Sequence, residues 1–296
     1  MLTLMRWLAR RSLATLHAWG ALLGWLVYLS SASYRRRLRA NADRAGLSAA
    51  QRRRAIAEGG RMVAELPRLW LRPQDQLLGA LVRWGSDAAL IDAALDAGRG
   101  LVLLTPHLGC WEVTAQATIE RYSQRMKLTV MYRPARQAWL RDIEERARRR
   151  PGLDTVPAAL SGVRQMIRAL RRGESVGLLP DQVPPEGMGV WAPFFGQPAY
   201  TMTLAARLVQ QTGAALLMVW AERLPRGAGY VMHVRAPQPL PAEAADGDAL
   251  QLACATAINQ DMERLIREAP GQYLWGYHRY KQPRRADAAG MEQAPA

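Results

Sequence analysis

Cysteine is scarce in this chain of 296 residues, and its scarcity argues against some classes of protein. The two cysteines, Cys110 and Cys254, lie far apart and lack the pair spacing of a metal site, so neither a disulfide framework nor a structural zinc site is indicated. We therefore favour a reducing compartment. The G-x-S-x-G motif is absent too, which argues against a serine nucleophile and an acyl-enzyme. We find no internal repeat.

Acidic residues are also few relative to basic ones. The chain has 40 Lys+Arg against 25 Asp+Glu, a formal charge of +15, and Lys127 and Lys281 are its only lysines. Because a guanidinium grips phosphate or carboxylate with two hydrogen bonds, this excess predicts an anionic partner. A genome rich in G and C would also enrich arginine. The arginines are scattered and no nucleic-acid recognition motif is present, so we expect no nucleic-acid partner.

Charged residues are missing altogether from residues 12–34. About 20 apolar residues are enough to cross a hydrocarbon core of about 30 Å. A cleaved signal peptide is the alternative, with "SSAS" as a possible cleavage site. We favour an uncleaved anchor, with the body of the protein in the cytoplasm. A cluster of arginines follows the apolar stretch directly, and such a cluster resists translocation across the membrane: Arg35, Arg36, Arg37 and Arg39.

Residues 60–85 mix apolar side chains with arginine. Pro67 and Pro73 are expected to break this stretch into short pieces. Two interpretations stay open: pieces lying on a membrane surface, or ordinary amphipathic helices that cover a core.

Beyond residue 85, short apolar strands alternate with helices. This pattern predicts an α/β fold with a mostly parallel central sheet flanked by helices. Strands are expected at 100–105, 127–132 and 175–180 and in "ALLMVWAERL" and "YVMHVRAP", and helices at 87–98, 110–124, 136–150, 159–172, 200–213 and 246–268. We predict an N-terminal anchor with its basic flank over residues 1–45, one domain over 46–285 and a disordered tail over 286–296.

His107 and Glu112 are the candidate catalytic pair. In a helix, positions five apart lie about 140° from each other, so the two side chains cannot share one helical face. A strand ending at Thr105, a loop carrying His107 and a helix beginning near Gly109 or Cys110 would let them converge at the carboxyl end of the strand. An imidazole backed by a carboxylate is a general base, here for a substrate hydroxyl. A metal site would need a third ligand, so we expect none.

Four stretches together give the chain a family resemblance: "TPHLGCWE", "VMYRPAR", "LLPDQVPPEGMGVWAPFFGQPAYT" and "YLWGYHRYK". In this order and spacing the sequence resembles the lipid A late acyltransferases, the lauroyl and myristoyl transferases of lipid A assembly. The resemblance covers nearly the whole chain and implies a glycerolipid-acyltransferase-like fold. Two departures are Pro106, where relatives commonly have Asn, and "HRYK" in place of a motif with one more arginine.

The resemblance implies transfer of an acyl chain from an acyl-carrier-protein thioester to a hydroxyl of a Kdo-bearing lipid A precursor, an anionic glycolipid. It implies an enzyme at the cytoplasmic face of the inner membrane that needs no metal or other cofactor. His107 and Glu112 become the catalytic dyad of the domain over 46–285, and Arg133, Asp181 and Arg279 are the expected substrate-binding residues. Alternatively, Arg133 forms a structural salt bridge and Asp181 caps its loop.

Other functions also stay open. The acceptor is another glycolipid or glycerol phosphate in one alternative, and in a second the protein is a non-enzymatic, membrane-tethered binder of anionic lipid.

Overall fold

The computed structural model describes residues 2–132, 135 and 137–284 of the chain. Arg133 and the predicted disordered tail over 286–296 lie outside the described residues.

A seven-stranded sheet forms the centre of the fold, and a separate two-stranded hairpin lies beside it. In chain order the strands are β1 (Val82–Trp84), β2 (Leu101–Leu104), β3 (Leu128–Tyr132), β4 (Leu153–Pro157), β5 (Ser175–Leu178), β6 (Gly189–Phe194), β7 (Gln197–Met202), β8 (Ala215–Arg223) and β9 (Tyr230–Arg235). The sheet order is β1-β9-β8-β2-β5-β3-β4, and β6 pairs with β7. Only the β8–β9 pairing within the large sheet is antiparallel, so the predicted mostly parallel sheet is confirmed.

Ten α-helices surround the sheet in the described part of the chain. They are α1 (Leu2–Ala9), α2 (Leu13–Ser30), α3 (Ala32–Arg44), α4 (Ala49–Trp70), α5 (Ala89–Asp96), α6 (Trp111–Tyr122), α7 (Ala138–Arg148), α8 (Leu160–Arg171), α9 (Leu204–Thr212) and α10 (Gly247–Glu268). Strand β2 shows how they share the core: Val102 and Leu104 join a cluster on one face, and Leu101 and Leu103 join a cluster on the other. All four residues are buried, as expected of a strand covered on both sides.

Several elements differ from the sequence prediction. Helix α4 runs unbroken through Pro67 and ends at Trp70, so the predicted break at Pro67 is wrong. A capping box of Ser48 and Gln51 starts this helix, and packing along α2 stabilises it past the proline. The predicted helix over 200–213 begins only at Leu204, because residues 200–202 belong to β7.

Helices α2 and α4 pack side by side in opposite directions, and glycines make this close approach possible. A Cβ on Gly60 would lie 1.9 Å from the carbonyl oxygen of Gly20, and one on Gly24 would lie 2.2 Å from that of Ile56. Backbones this close leave no space for a methyl group between the helices.

Gly60→Ala should therefore force α2 and α4 apart and lower the free energy of unfolding by about 1–3 kcal/mol. Gly59→Ala is the matched control, because its new Cβ would meet only the end of a side chain, the Tyr34 hydroxyl at 3.0 Å. Denaturant unfolding of both variants, followed by circular dichroism in detergent, measures the difference. Equal stability of the two variants would contradict the packing described.

Candidate active site

The candidate site lies where β2 and β5 end, at one edge of the sheet. These strands are parallel neighbours, so the segments that follow them leave the sheet side by side. The pairing continues one step beyond β2, since the Thr105 amide donates to the Leu178 carbonyl at 3.0 Å. Pro106 then turns the chain, and His107 follows on the loop as predicted.

The carboxylate that contacts His107 belongs to Asp181, three residues beyond β5. Asp181 Oδ1 lies 2.8 Å from the imidazole Nδ1, and Asp181 Oδ2 accepts the backbone N–H of His107 at 2.9 Å. Both side chains are buried. Burial alone would raise the pKa of Asp181, but the charge of His107 and its two hydrogen bonds lower it below its ordinary value. An ionised Asp181 only accepts hydrogen bonds, so the proton between the two groups sits on Nδ1.

The other ring nitrogen faces an amide. Gln182 Nε2 lies 3.1 Å from His107 Nε2, and an amide nitrogen can only donate. Nε2 is therefore an acceptor, which agrees with a proton on Nδ1. A substrate hydroxyl that approaches Nε2 would take the place of the Gln182 amide.

The backbone after His107 is fixed by neighbouring segments. Gly109 has φ +61°, and a Cβ there would lie 2.0 Å from the Ala221 carbonyl oxygen, so only glycine fits. The Gly109 amide donates to the Gln272 carbonyl at 3.1 Å, and the Leu274 amide donates to the His107 carbonyl at 3.1 Å. The loop is thus held between β8 and the C-terminal segment.

A buried arginine ties the same loop to α4. Arg223, the last residue of β8, donates from Nη2 to the Gly109 carbonyl at 3.0 Å and from Nη1 to Glu58 at 2.8 Å. Its Nε donates to Glu65 at 2.9 Å, and Glu65 also contacts His17 of α2 at 3.0 Å. We call Arg223, Glu58, Glu65 and His17 the buried ion cluster.

Ion pairing within this cluster keeps Glu65 ionised. Burial alone would raise the pKa of Glu65, but the charge and hydrogen bonds of Arg223, with a smaller contribution from His17, lower it to about 2. Glu65 and Arg223 are both almost fully buried, so each compensates the charge of the other.

Glu112 lies in the first turn of α6, as predicted, but its carboxylate does not contact His107 in the described structure. Glu112 Oε1 instead accepts from Arg148 Nη2 at 2.9 Å. The ring that faces the imidazole is that of Trp111, with the centroids 5.3 Å apart. The carboxylate in contact with the His107 ring is therefore that of Asp181, and a catalytic role of Glu112 stays a prediction. The helical step of about 100° from Trp111 turns Glu112 towards α7.

An apolar cleft opens beside the Glu112–Arg148 pair. Burial raises the pKa of Glu112, and the charge of Arg148 opposes that rise. The cleft encloses about 700 Å³ including its open mouth. Thr105 and Trp111, which flank the His107 loop, contribute to its lining, and the rest is mainly aliphatic and includes Leu103, Leu128, Val130, Leu153, Leu178 and Val219.

Two of the three predicted substrate-binding residues have other contacts. Asp181 meets His107 and Arg279 is only 2% exposed. The guanidinium of Arg279 donates to the Tyr200 carbonyl and the Thr201 hydroxyl, each at 2.7 Å. These contacts fasten the C-terminal segment to β7, and substrate binding by Arg279 stays a prediction.

The third predicted substrate-binding residue, Arg133, lies outside the described residues. No group of three or more His, Cys, Asp or Glu that could hold a metal ion occurs in the described part of the chain.

Sequence reasoning missed Gln182, Arg148, Arg223 and Glu65. The prediction did place Asp181 after a strand. The neighbouring positions of β2 and β5 were the signal that would have paired Asp181 with His107.

A mostly parallel sheet with a histidine–carboxylate pair where two of its strands end, beside an apolar cleft, defines the chain as an α/β protein with a candidate site at the carboxyl ends of its strands. The model of the bacterial lipid A biosynthesis acyltransferase family matches residues 1–282. The chain therefore belongs to this family, as its sequence resemblance predicted.

The identity to individual members of the family is low. The chain is 27% identical to a lipid A biosynthesis acyltransferase of Haemophilus influenzae, over 62% of this chain and 55% of the relative. It is 26% identical to the lipid A biosynthesis palmitoleoyltransferase of Escherichia coli, over 79% and 74%. A phosphatidylinositol mannoside acyltransferase of Mycobacterium tuberculosis is 29% identical over 55% and 49%. The match thus spans about half the length of the Haemophilus protein.

The buried ion cluster should make stability depend on pH. The pKa of Glu65 is about 2 in the folded protein and ordinarily about 4.5, so the stabilisation is complete above about pH 4.5 and is lost as pH falls towards 2. Glu65→Gln removes one of the two carboxylates that pair with the buried Arg223 and should lower the free energy of unfolding by about 3–5 kcal/mol at pH 7.

Denaturant unfolding from pH 7 down to about pH 2.5 tests this dependence, with the exposed Glu243→Gln as control. The difference between wild type and Glu65→Gln should shrink below about pH 4.5, whereas Glu243→Gln should follow the wild type throughout. A constant difference over the whole range would contradict an ionised, stabilising Glu65.

Proposed function

We propose that the protein transfers a fatty acyl chain from an acyl-carrier-protein thioester to a hydroxyl of a lipid A precursor, at the cytoplasmic face of the inner membrane. The observation that carries the proposal is the buried His107–Asp181 pair in a chain of the lipid A acyltransferase family. The relatives named as lipid A acyltransferases support the acceptor class.

In the proposed reaction His107 is the general base. Its Nε2 takes the proton of the acceptor hydroxyl while the hydroxyl oxygen forms a bond to the thioester carbonyl carbon. Asp181 holds the ring and stabilises the imidazolium. The intermediate then releases the carrier thiolate, which recovers the proton from His107. General-base assistance of this kind contributes roughly 10²–10⁴ in rate.

Glu112 keeps a catalytic role in this proposal by positioning Arg148. Arg148 Nη1 is buried, has no hydrogen-bond partner among the described residues and lies 3.7 Å from a Glu144 carboxylate oxygen, while Nη2 is held by Glu112. A buried donor at the wall of the cleft suits an oxyanion that forms on the thioester carbonyl. The aliphatic lining of the cleft suits the acyl chain.

A second acceptor is favoured by one comparison. The Mycobacterium tuberculosis relative is named as an acyltransferase of a phosphatidylinositol mannoside, which is a glycolipid other than lipid A. The same base and the same cleft would serve either acceptor, because the acceptor needs only a hydroxyl at Nε2. Arg133 remains a proposed contact for the anionic groups of either lipid.

Asp181→Asn should lower kcat by about 10³–10⁴, because an amide donates to Nδ1 and leaves the proton on Nε2. His107→Gln should lose at least as much. Glu112→Gln should lower kcat less, by about 10²-fold or below, because Glu112 acts through a single oxyanion donor, Arg148. The measurement is single-turnover transfer from an acyl-carrier-protein thioester to purified lipid A precursor, with the exposed Asp154→Asn as control.

Two results would overturn parts of this account. Wild-type turnover in both Asp181→Asn and His107→Gln would exclude His107 as the general base. Wild-type turnover in Asp181→Asn with complete loss in Glu112→Gln would show that Glu112 is the partner of His107.

Mass spectrometry of lipids from a deletion strain distinguishes the acceptors. We expect lipid A that lacks one secondary acyl chain, restored by the wild-type gene and not by the His107→Gln variant. Unchanged lipid A together with loss of an acyl chain from another glycolipid would favour the second acceptor.

A further inference from the structure

An apolar surface on α1 and α2 has no part in the candidate site. Among the described residues, α2 is the one helix long and apolar enough to cross a membrane. Its outward side chains include Leu22, Leu26 and Leu29, which are 70%, 63% and 67% exposed. The rings of Trp7 and Trp19, both exposed, stack with their centroids 5.5 Å apart and extend this surface onto α1.

The charge around this surface suits an anionic lipid leaflet. The first acidic residue of the chain is Asp43. Before it, arginines lie on both sides of α2, at positions 6, 10 and 11 and at 35, 36, 37 and 39. Arg11 covers the Trp7 ring at 4.7 Å, which places cation and indole together as at a membrane interface.

The opposite side of α2 is packed against α4 from Leu13 to Gly24. Contacts run from Leu13, which shares a core cluster with Leu69, through the His17–Glu65 pair to Gly24 beside Gly60. Helix α4 is rich in charge, and its backbone at Arg61 would lie 2.7 Å from a Cβ on Gly20, near the middle of α2. A perpendicular α2 would take this charged helix into the hydrocarbon.

The start of α2, and the helix α3 that follows its end, also contact the catalytic body, by which we mean the sheet and its C-terminal segment. At its start, a Cβ on Gly227, in the β8–β9 connection, would lie 2.2 Å from the Ala14 amide nitrogen. Beyond its end, the Asn41 amide of α3 donates to the carbonyls of Trp275 and Tyr277, each at 2.8 Å. A spanning helix of this length would carry one end about 27 Å away from a body that stays outside the bilayer.

We infer that α2 does not cross the membrane but lies along one leaflet, so that its N-terminal flank and the catalytic body are on the same side. The inference rests on the proposed membrane function. The lipid-facing half of α2 enters the acyl region, the arginines meet the headgroups, and the buried ion cluster joins the inserted helix to the His107 loop.

Topology in sealed inside-out inner-membrane vesicles tests this inference. Arg10→Cys introduces an exposed thiol between α1 and α2, among the arginines assigned to the headgroups, and Ser161→Cys introduces one on the catalytic body. The native thiols are buried, and the unsubstituted chain provides the background. A membrane-impermeant maleimide should label both positions equally before detergent is added.

Labelling of position 161 at once, but of position 10 only after detergent, would mean that α2 spans the bilayer and would overturn the inference. Protection of both positions until detergent is added would support an in-plane α2 while contradicting the proposed cytoplasmic face. The two failures are therefore distinguishable, and neither readout depends on acyl transfer.

Discussion

The hydrogen bond between His107 Nδ1 and Asp181 is the interaction on which the site depends. It joins the segments that follow two neighbouring parallel strands, and it sets which ring nitrogen carries the proton. The backbone of the same histidine also donates to Asp181, so the carboxylate fixes both the loop and the ring. With Nδ1 committed to Asp181, Nε2 is left as the nitrogen that can accept a proton from a substrate.

Buried hydrogen bonds connect the site to the apolar N-terminal helices. Arg223 contacts the Gly109 carbonyl in the His107 loop and two carboxylates of α4, and one of these carboxylates reaches His17 of α2. Such a cluster costs desolvation and is useful where it fixes one arrangement. Here the cluster fixes the distance between His107 and the surface of α1 and α2 that we assign to lipid. In our proposal the acceptor hydroxyl arrives from that surface.

Local pattern was enough to predict most of the sheet and the loop position of His107. The strand at β2, the turn at Pro106 and the first-turn position of Glu112 all follow from periodicity and helix geometry. The partner of His107 was beyond that reach, because Asp181 is 74 positions away and meets it only through the β2–β5 pairing. The run of α4 through Pro67 was missed for a related reason: packing against α2 outweighed the local cost of proline.

The protonation state of the His107 ring tests the central claim most directly. The chain has four histidines, so ¹⁵N-histidine labelling gives few signals, and the spectrum of His107→Gln identifies the one that matters. For the neutral ring we expect a proton on Nδ1 and none on Nε2. The Nδ1 signal should change in Asp181→Asn. A neutral His107 protonated on Nε2, or one unaffected by Asp181→Asn, would contradict it.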